Sequence, residues 1–347
     1  MKNDPALLSA TELLALYRSR RISPVEVTQA CLDRIAAADA RFNAFTLVDG
    51  DAAMESARAS EERWLKGKPL GLVDGVPATI KDLLLTKGWP TLRGSRAISP
   101  DQPWEEDAPA TARLREQGAI LLGKTTTPEL GHKGVTDSPL TGITRNPWNP
   151  AMTPGGSSGG AAVAAATGMG ALHVGTDGGG SIRIPASFTG IFGLKPSFGR
   201  VPAYPASPFG TVSHVGPMTR TVPDAALMLR VLACPDPRDW YALPPADKDY
   251  MAGLDDGVAG LRVAFAPTLN GAPVDPEVAA LVRRAAGEFT DLGAEVEEVV
   301  LDLPGATDVF FAHWSAGAAT VMAGFTEEQK AVAGRVLAFG HGRGHGN

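Results

Sequence analysis

Through the first third of the chain, apolar positions recur at helical spacing; further on they gather into short runs bounded by glycine and proline. Ser9-x-x-Glu12 and Ser23-Pro24-Val25-Glu26 are capping boxes, and Pro24 sits at a first helical position where its missing N–H costs nothing. They predict helices over residues 10–20 and 24–38, the second with Val27, Cys31, Leu32 and Ile35 on one face, and a third over residues 51–66. Val76, Ala78, Thr79 and Ile80 read as a short buried strand ending at Lys81. Residues 108–117 read as a helix and 119–122 as an apolar strand. The Ala-rich run 161–174 is long enough for a buried helix leading into a strand at 171–174. Thr221-x-x-Asp224 caps a helix to about residue 232. Residues 261–266, 275–292 and 294–301 read as a β-α-β unit whose right-handed crossover adds a parallel pair to a sheet. The stretches 131–150, 202–215 and 235–256 are rich in turn residues. The pattern is that of an α/β chain, long enough for one large domain or two smaller ones. The Gly/His alternation within 334–347 has no apolar face and reads as a disordered tail.

Composition narrows the function classes. The chain has 347 residues, 44% hydrophobic and 20% charged, enough for a large core. A net charge of −6 without a long basic run gives no support for a nucleic acid or an anionic membrane as partner. No segment approaches a membrane span, and the N-terminus lacks the apolar region of a signal peptide. Cys31 and Cys234 lie in no CxxC or Cys/His cluster, so both are read as buried apolar thiols and the chain as cytoplasmic. His341 and His345 could hold a metal only adventitiously; no metal site or cofactor is predicted.

The chemistry concentrates in residues 153–201. Two glycine knots, Gly155-Gly156-Ser157-Ser158-Gly159-Gly160 and Gly178-Gly179-Gly180-Ser181, stand at either end of the 161–174 run, as though built to meet. A serine hydroxyl is a weak nucleophile that needs a base, and a glycine run can aim successive N–H groups at a developing oxyanion. Both 155–159 and 156–160 fit the G-x-S-x-G elbow pattern, for which Asp224 and His313 could be nominated as partners, but neither has strand-end turn character. The other base is Lys81, with one serine relaying the proton, provided that burial lowers the lysine's pKa. Gly118 to Thr125 also fits GxxxxGK[ST], yet a helix precedes Gly118 and the four apolar residues that follow it read as the strand itself, so nucleotide binding is not expected.

The motifs GVPATIKD, GAILLGKT, TRNPWNP, PGGSSGG, GTDGGGSIRIPASFTGIFGLKPSFGRV and GPMTRTVPDA together resemble the amidase signature family of Ser-Ser-Lys amidohydrolases, closely over about residues 70–231. The resemblance implies a single domain overall, a helical segment over residues 1–66 packed on an α/β core over 67–347 whose central mixed, largely parallel twisted sheet has helices on both faces, truncated at the C-terminus because members generally run longer. It implies Lys81 as base, Ser157 in a cis peptide as relay and Ser181 as nucleophile. Backbone N–H groups of Gly178, Gly179, Gly180 and Ser181 would form the oxyanion hole. Asp177 and Arg183 would hold the loop as a charge pair, and Ser158 would add hydrogen bonds. A small carboxamide would be cleaved to a carboxylate and ammonia or an amine, without metal or nucleotide, and a homodimer is among the assemblies allowed. Two other readings stay open: the glutamine-hydrolysing component of a tRNA-dependent amidotransferase, and a truncated inactive paralogue acting as a binding protein.

Overall fold

The computed structural model describes residues 4–246 and 248–333; the tail reading for 334–347, with His341 and His345, falls outside them. The described residues form two compact units, one of residues up to 250 together with those from 313 onward, the other of 251–312.

In the first unit both capping boxes form. Ser9 opens helix α1 (Ala10–Arg18) and Ser23 opens α2 (Pro24–Phe42), which ends on Asn43 in the left-handed region. Strand β1 (Phe45–Val48) and helix α3 (Gly50–Leu65) follow. Then come β2 (Pro77–Lys81), α4 (Pro109–Glu116), β3 (Ile120–Thr125) and a small hairpin, β4 (Asp137–Ser138) with β5 (Gly142–Ile143). Helix α5 (Gly159–Thr167) leads into β6 (Leu172–Asp177), then α6 (Arg183–Thr189), β7 (Phe192–Gly193), β8 (His214–Thr219) and α7 (Val222–Leu232). Six of these strands make one mixed sheet in the order β1-β3-β2-β6-β8-β7, flanked by helices. Parallel pairing holds its centre, β2 with β3 and β6, while the β1–β3, β6–β8 and β7–β8 pairs are antiparallel.

The centre of that sheet positions the chemistry. All of β2 is buried, as a strand with parallel neighbours on both sides must be, and its register sets Ile80 beside Lys124 on β3 and Val174 on β6. The β2, β3 and β6 carboxyl ends therefore open on the same side, where sheets of this kind bind ligands. Helix α5 packs across β2, β3, β6 and β8. Gly160 permits the approach: a Cβ there would lie 2.5 Å from the Ala44 carbonyl and from both Thr126 N and Oγ1.

Buried carboxylates tie the helices on. Asp74 accepts from Ser60 Oγ at 2.8 Å, Arg63 Nε at 2.9 Å and the Leu70 N–H at 2.7 Å. Asp224 on α7 accepts the Ala10 and Thr11 N–H groups at the start of α1, both at 3.0 Å. The 120–125 segment is strand and not a phosphate loop. Its Lys124 is fully buried, 3.1 Å from Asp82 Oδ1, with further bonds to the Leu84 and Pro90 carbonyls and to Thr91 Oγ1.

Three expectations are corrected. Cys31 is buried, but Cys234 is exposed, because the chain has already left α7 at that point. Residues 214–219, partly assigned to an irregular passage, form β8, whose ladder partners lie far along the sequence. The parallel β-α-β unit exists, as β9 (Arg262–Phe265), α8 (Pro276–Asp291) and β10 (Glu295–Glu298), but its strands form a separate two-stranded sheet in the second unit. The pattern specifies the pairing within such a unit and not the sheet it joins. Helices α9 (Ala306–Ala323) and α10 (Glu327–Val332) follow; α9 gave no sequence signal because Ala and Gly among its aromatics leave no polar face at helical spacing. Among the described residues no helix is long and apolar enough to cross a membrane.

Replacing Lys124 by Met leaves Asp82 buried without its counter-charge. The expected loss is about 3–5 kcal/mol in urea unfolding, most of it recovered in the Lys124→Met/Asp82→Asn double variant. Equal stability of the single variant and the parent would contradict this account.

Candidate active site

Lys81 is the last residue of β2, and its side chain is wholly buried. Its Nζ lies 2.7 Å from Ser157 Oγ, 2.8 Å from Ser158 Oγ and 2.8 Å from Thr176 Oγ1. Among the described residues no carboxylate forms a hydrogen bond or ion pair with it. Burial pushes its pKa well below that of an ordinary lysine, and the attraction of Asp177 only partly opposes the shift. A neutral amine fits this cradle, since hydroxyls can donate to its lone pair as well as accept from its hydrogens.

The serines reach the lysine because the two glycine knots meet. Ser157 follows a cis peptide after Gly156, and Ser158 immediately precedes α5. The Ser158 N–H donates to the Ser181 carbonyl at 3.1 Å, joining one knot to the other. Ser158 Oγ accepts the Thr176 N–H and donates to the Thr176 carbonyl, at 3.2 and 3.1 Å, which pins it to β6. Ser181 is buried apart from a small accessible fraction, and its hydroxyl makes no hydrogen bond among the described residues.

Asp177, the last residue of β6, organises the second knot. Its carboxylate accepts the Gly180 N–H at 2.7 Å, the Ile182 N–H at 3.1 Å and a bidentate pair from Arg183, Nε and Nη2 each at 2.9 Å. Gly180 stands at φ 109°, where a Cβ would also meet Ile184 at 2.8 Å, so the turn requires glycine. With the Gly180 N–H committed to Asp177, the N–H groups of Gly178, Gly179 and Ser181 have no partner among the described residues.

Ser157, Ser181, Thr176 and Gly178 share one cavity of about 170 Å³, room for a small molecule. Leu83 and Leu130 line it too, together with Phe209 and Trp314, whose rings stack at 4.4 Å. Among the lining residues that the sequence reading did not single out are Thr176, although it stands inside the quoted GTDGGGS motif, and Arg93, which no motif marked. The partners nominated for an elbow-type triad do not assemble, since the Asp224 carboxylate is occupied at the start of α1. Among the described residues no His/Cys/Asp/Glu cluster could hold a metal ion.

Burial raises the Asp177 pKa, but the Arg183 fork and the loop N–H groups outweigh it and hold the carboxyl down to about 2. A carboxyl depressed below its unfolded value of about 3.9 adds stability that is fully present above that pH and is lost as pH falls toward 2. Asp177→Asn should therefore cost about 2 kcal/mol near neutrality and flatten the acid limb of the stability curve. An unchanged acid midpoint would show that the pair contributes nothing to folding.

The Amidase family pattern matches residues 26–339. An acylamidase of Rhodococcus erythropolis is 41% identical over 292 residues, 84% of this chain and 61% of that protein. The A component of a glutamyl-tRNA(Gln) amidotransferase of Chloroflexus aurantiacus is 40% identical over 295 residues, 85% of this chain and 60% of its own length. The chain thus spans about three-fifths of the length of these relatives. A solved bacterial aryl acylamidase of the amidase signature enzymes superposes with a TM-score of 0.87 at 37% identity, over 96% of this chain and 71% of that one. With the match running from the N-terminal helices through the glycine knots, the chain belongs to the amidase family.

Proposed function

We propose that the chain is an amidohydrolase that cleaves a small carboxamide through an acyl-enzyme on Ser181, with Ser157 as proton relay and Lys81 as base. The observation that carries this reading is the buried, carboxylate-free contact of Lys81 Nζ with Ser157 Oγ at 2.7 Å. Ser157 gives its hydroxyl proton to the neutral lysine and takes that of Ser181 as the Ser181 oxygen attacks the amide carbon. The N–H groups of Gly178, Gly179 and Ser181 stabilise the oxyanion, Gly180 serving instead to shape the loop through Asp177. The proton returns through Ser157 to the leaving nitrogen, the C–N bond breaks, and water repeats the sequence to release the carboxylate. Ser157 and Ser181 share no hydrogen bond among the described residues; in this reading theirs forms when substrate binds, as catalytic hydrogen bonds often do. The 40% identity to an amidotransferase component supports a second reading, in which the amide is glutamine and the ammonia passes to a partner.

A fluorophosphonate probe should label Ser181, and Ser181→Ala should abolish labelling and lower amide turnover at least about 1,000-fold. Labelling elsewhere, or normal turnover by that variant, would overturn the assignment.

Because the neutral amine is the working base, kcat/KM should rise with pH through the lowered Lys81 pKa and then level off, activity being lost as the lysine protonates below it. Lys81→Arg stays cationic and should be inactive across the whole range. A normal profile in that variant would exclude Lys81 as base.

A further inference from the structure

We propose that Arg93 is a specificity-determining residue that receives a carboxylate carried by the amide substrate. This deepens the amidase reading and rests on it for the identity of the cavity. Among the described lining residues, Arg93 is the single charged side chain in a wall otherwise made of apolar groups, hydroxyls and backbone. Its guanidinium has no hydrogen bond and no ion pair among the described residues. Other partly buried arginines are engaged, among them Arg63 with Asp74, Arg238 with Asp236, and Arg220 with the carbonyls of Ala6, Leu8, Ala165 and Gly170.

The neighbourhood does not neutralise this cation. Asp82 is the carboxylate whose charge acts on it, and Asp82 is already paired with Lys124 at 3.1 Å. Burial pulls the Arg93 pKa down more than Asp82 restores it, which is the sign of a cation whose lost hydration is not replaced. An incoming anion would replace it.

The backbone at Arg93 is itself held in place. Arg93 stands at φ 54°, a left-handed conformation uncommon for a long side chain. The next residue, Gly94, donates to Asp82 Oδ2 at 3.3 Å, and the Arg93 carbonyl accepts the Leu130 N–H at 2.7 Å. The backbone at the base of the side chain is thus clamped between two cavity-lining segments. A planar guanidinium matches a carboxylate through two parallel hydrogen bonds. The described lining offers no carboxylate to an ammonium group, which favours monoamides of dicarboxylic acids and N-acylated amino acids.

The test measures binding in the Ser181→Ala protein, which holds ligand without turnover. Calorimetry compares glutaramate, a carboxylate-bearing monoamide, with its neutral diamide. The anion should bind about ten- to a hundredfold more tightly. Adding Arg93→Gln should erase that preference, and Arg93→Lys should keep part of it. Unfolding midpoints identify any variant that has lost its fold, in which case the other variant decides. Equal binding of the two ligands, no anion binding at millimolar concentration, or a preference that survives Arg93→Gln would overturn the assignment. Fluorophosphonate labelling of the parent protein judges the amidase reading separately: a labelled Ser181 with no preference for the anion would remove Arg93 alone.

Discussion

An amine at the end of a fully buried strand is the constraint around which the rest is arranged. Placing Lys81 there in charged form, without a counter-ion, would cost several kcal/mol. Three hydroxyls meet its nitrogen instead, from Ser157, Ser158 and Thr176. Two come from the knot before α5 and one from β6, so the arrangement exists only when loop, helix and neighbouring strand are in place together. The glycines follow from the same demand. Gly160 lets α5 sit against Ala44 and Thr126, which delivers the serines, and Gly180 turns the chain back so that Ser181 can meet Ser158.

Two lysines on adjacent strands illustrate how environment separates roles. Lys124 and Lys81 are both wholly buried, on β3 and β2. Lys124 is given a carboxylate, Asp82, and backbone carbonyls; burial still lowers its pKa to about 8, but that partner limits the shift. Among the described residues Lys81 is given hydroxyls alone. The carboxylate that acts on it at a distance, Asp177, is engaged by the Arg183 fork and by loop N–H groups. One lysine is a structural cation and the other is held toward the neutral form that a base requires. Arg93 extends the contrast, as a cation whose available carboxylate has been taken by Lys124.

Much of this was legible along the chain because its signals are local. The capping boxes at Ser9 and Ser23 depend on side chains three residues apart, so they form as the pattern predicts. The apolar run before Lys81 marked a buried strand, and the helix before Gly118 argued correctly against a phosphate loop. Strand β8 and helix α9 were less visible: the first is completed by distant ladder partners and the second lacks a polar face. Cys234 misled because its burial depends on where α7 stops.

By itself the sequence determined the inventory: which serines, which lysine, which glycines, and the motifs that tie them to the amidase family. Tertiary structure decided the partnerships. That Thr176 is the third hydroxyl on Lys81, that Asp177 takes the Gly180 N–H, and that the six-stranded sheet excludes the C-terminal β-α-β unit are facts of through-space distance. Arg93 shows the division most clearly, for no motif surrounds it in the sequence, while its position in the cavity wall depends on the fold of Asp82, Gly94 and Leu130 around it. Local hydrogen bonds and periodicity are written into neighbouring residues; desolvation, and the contacts that offset it, come into being only when distant segments pack.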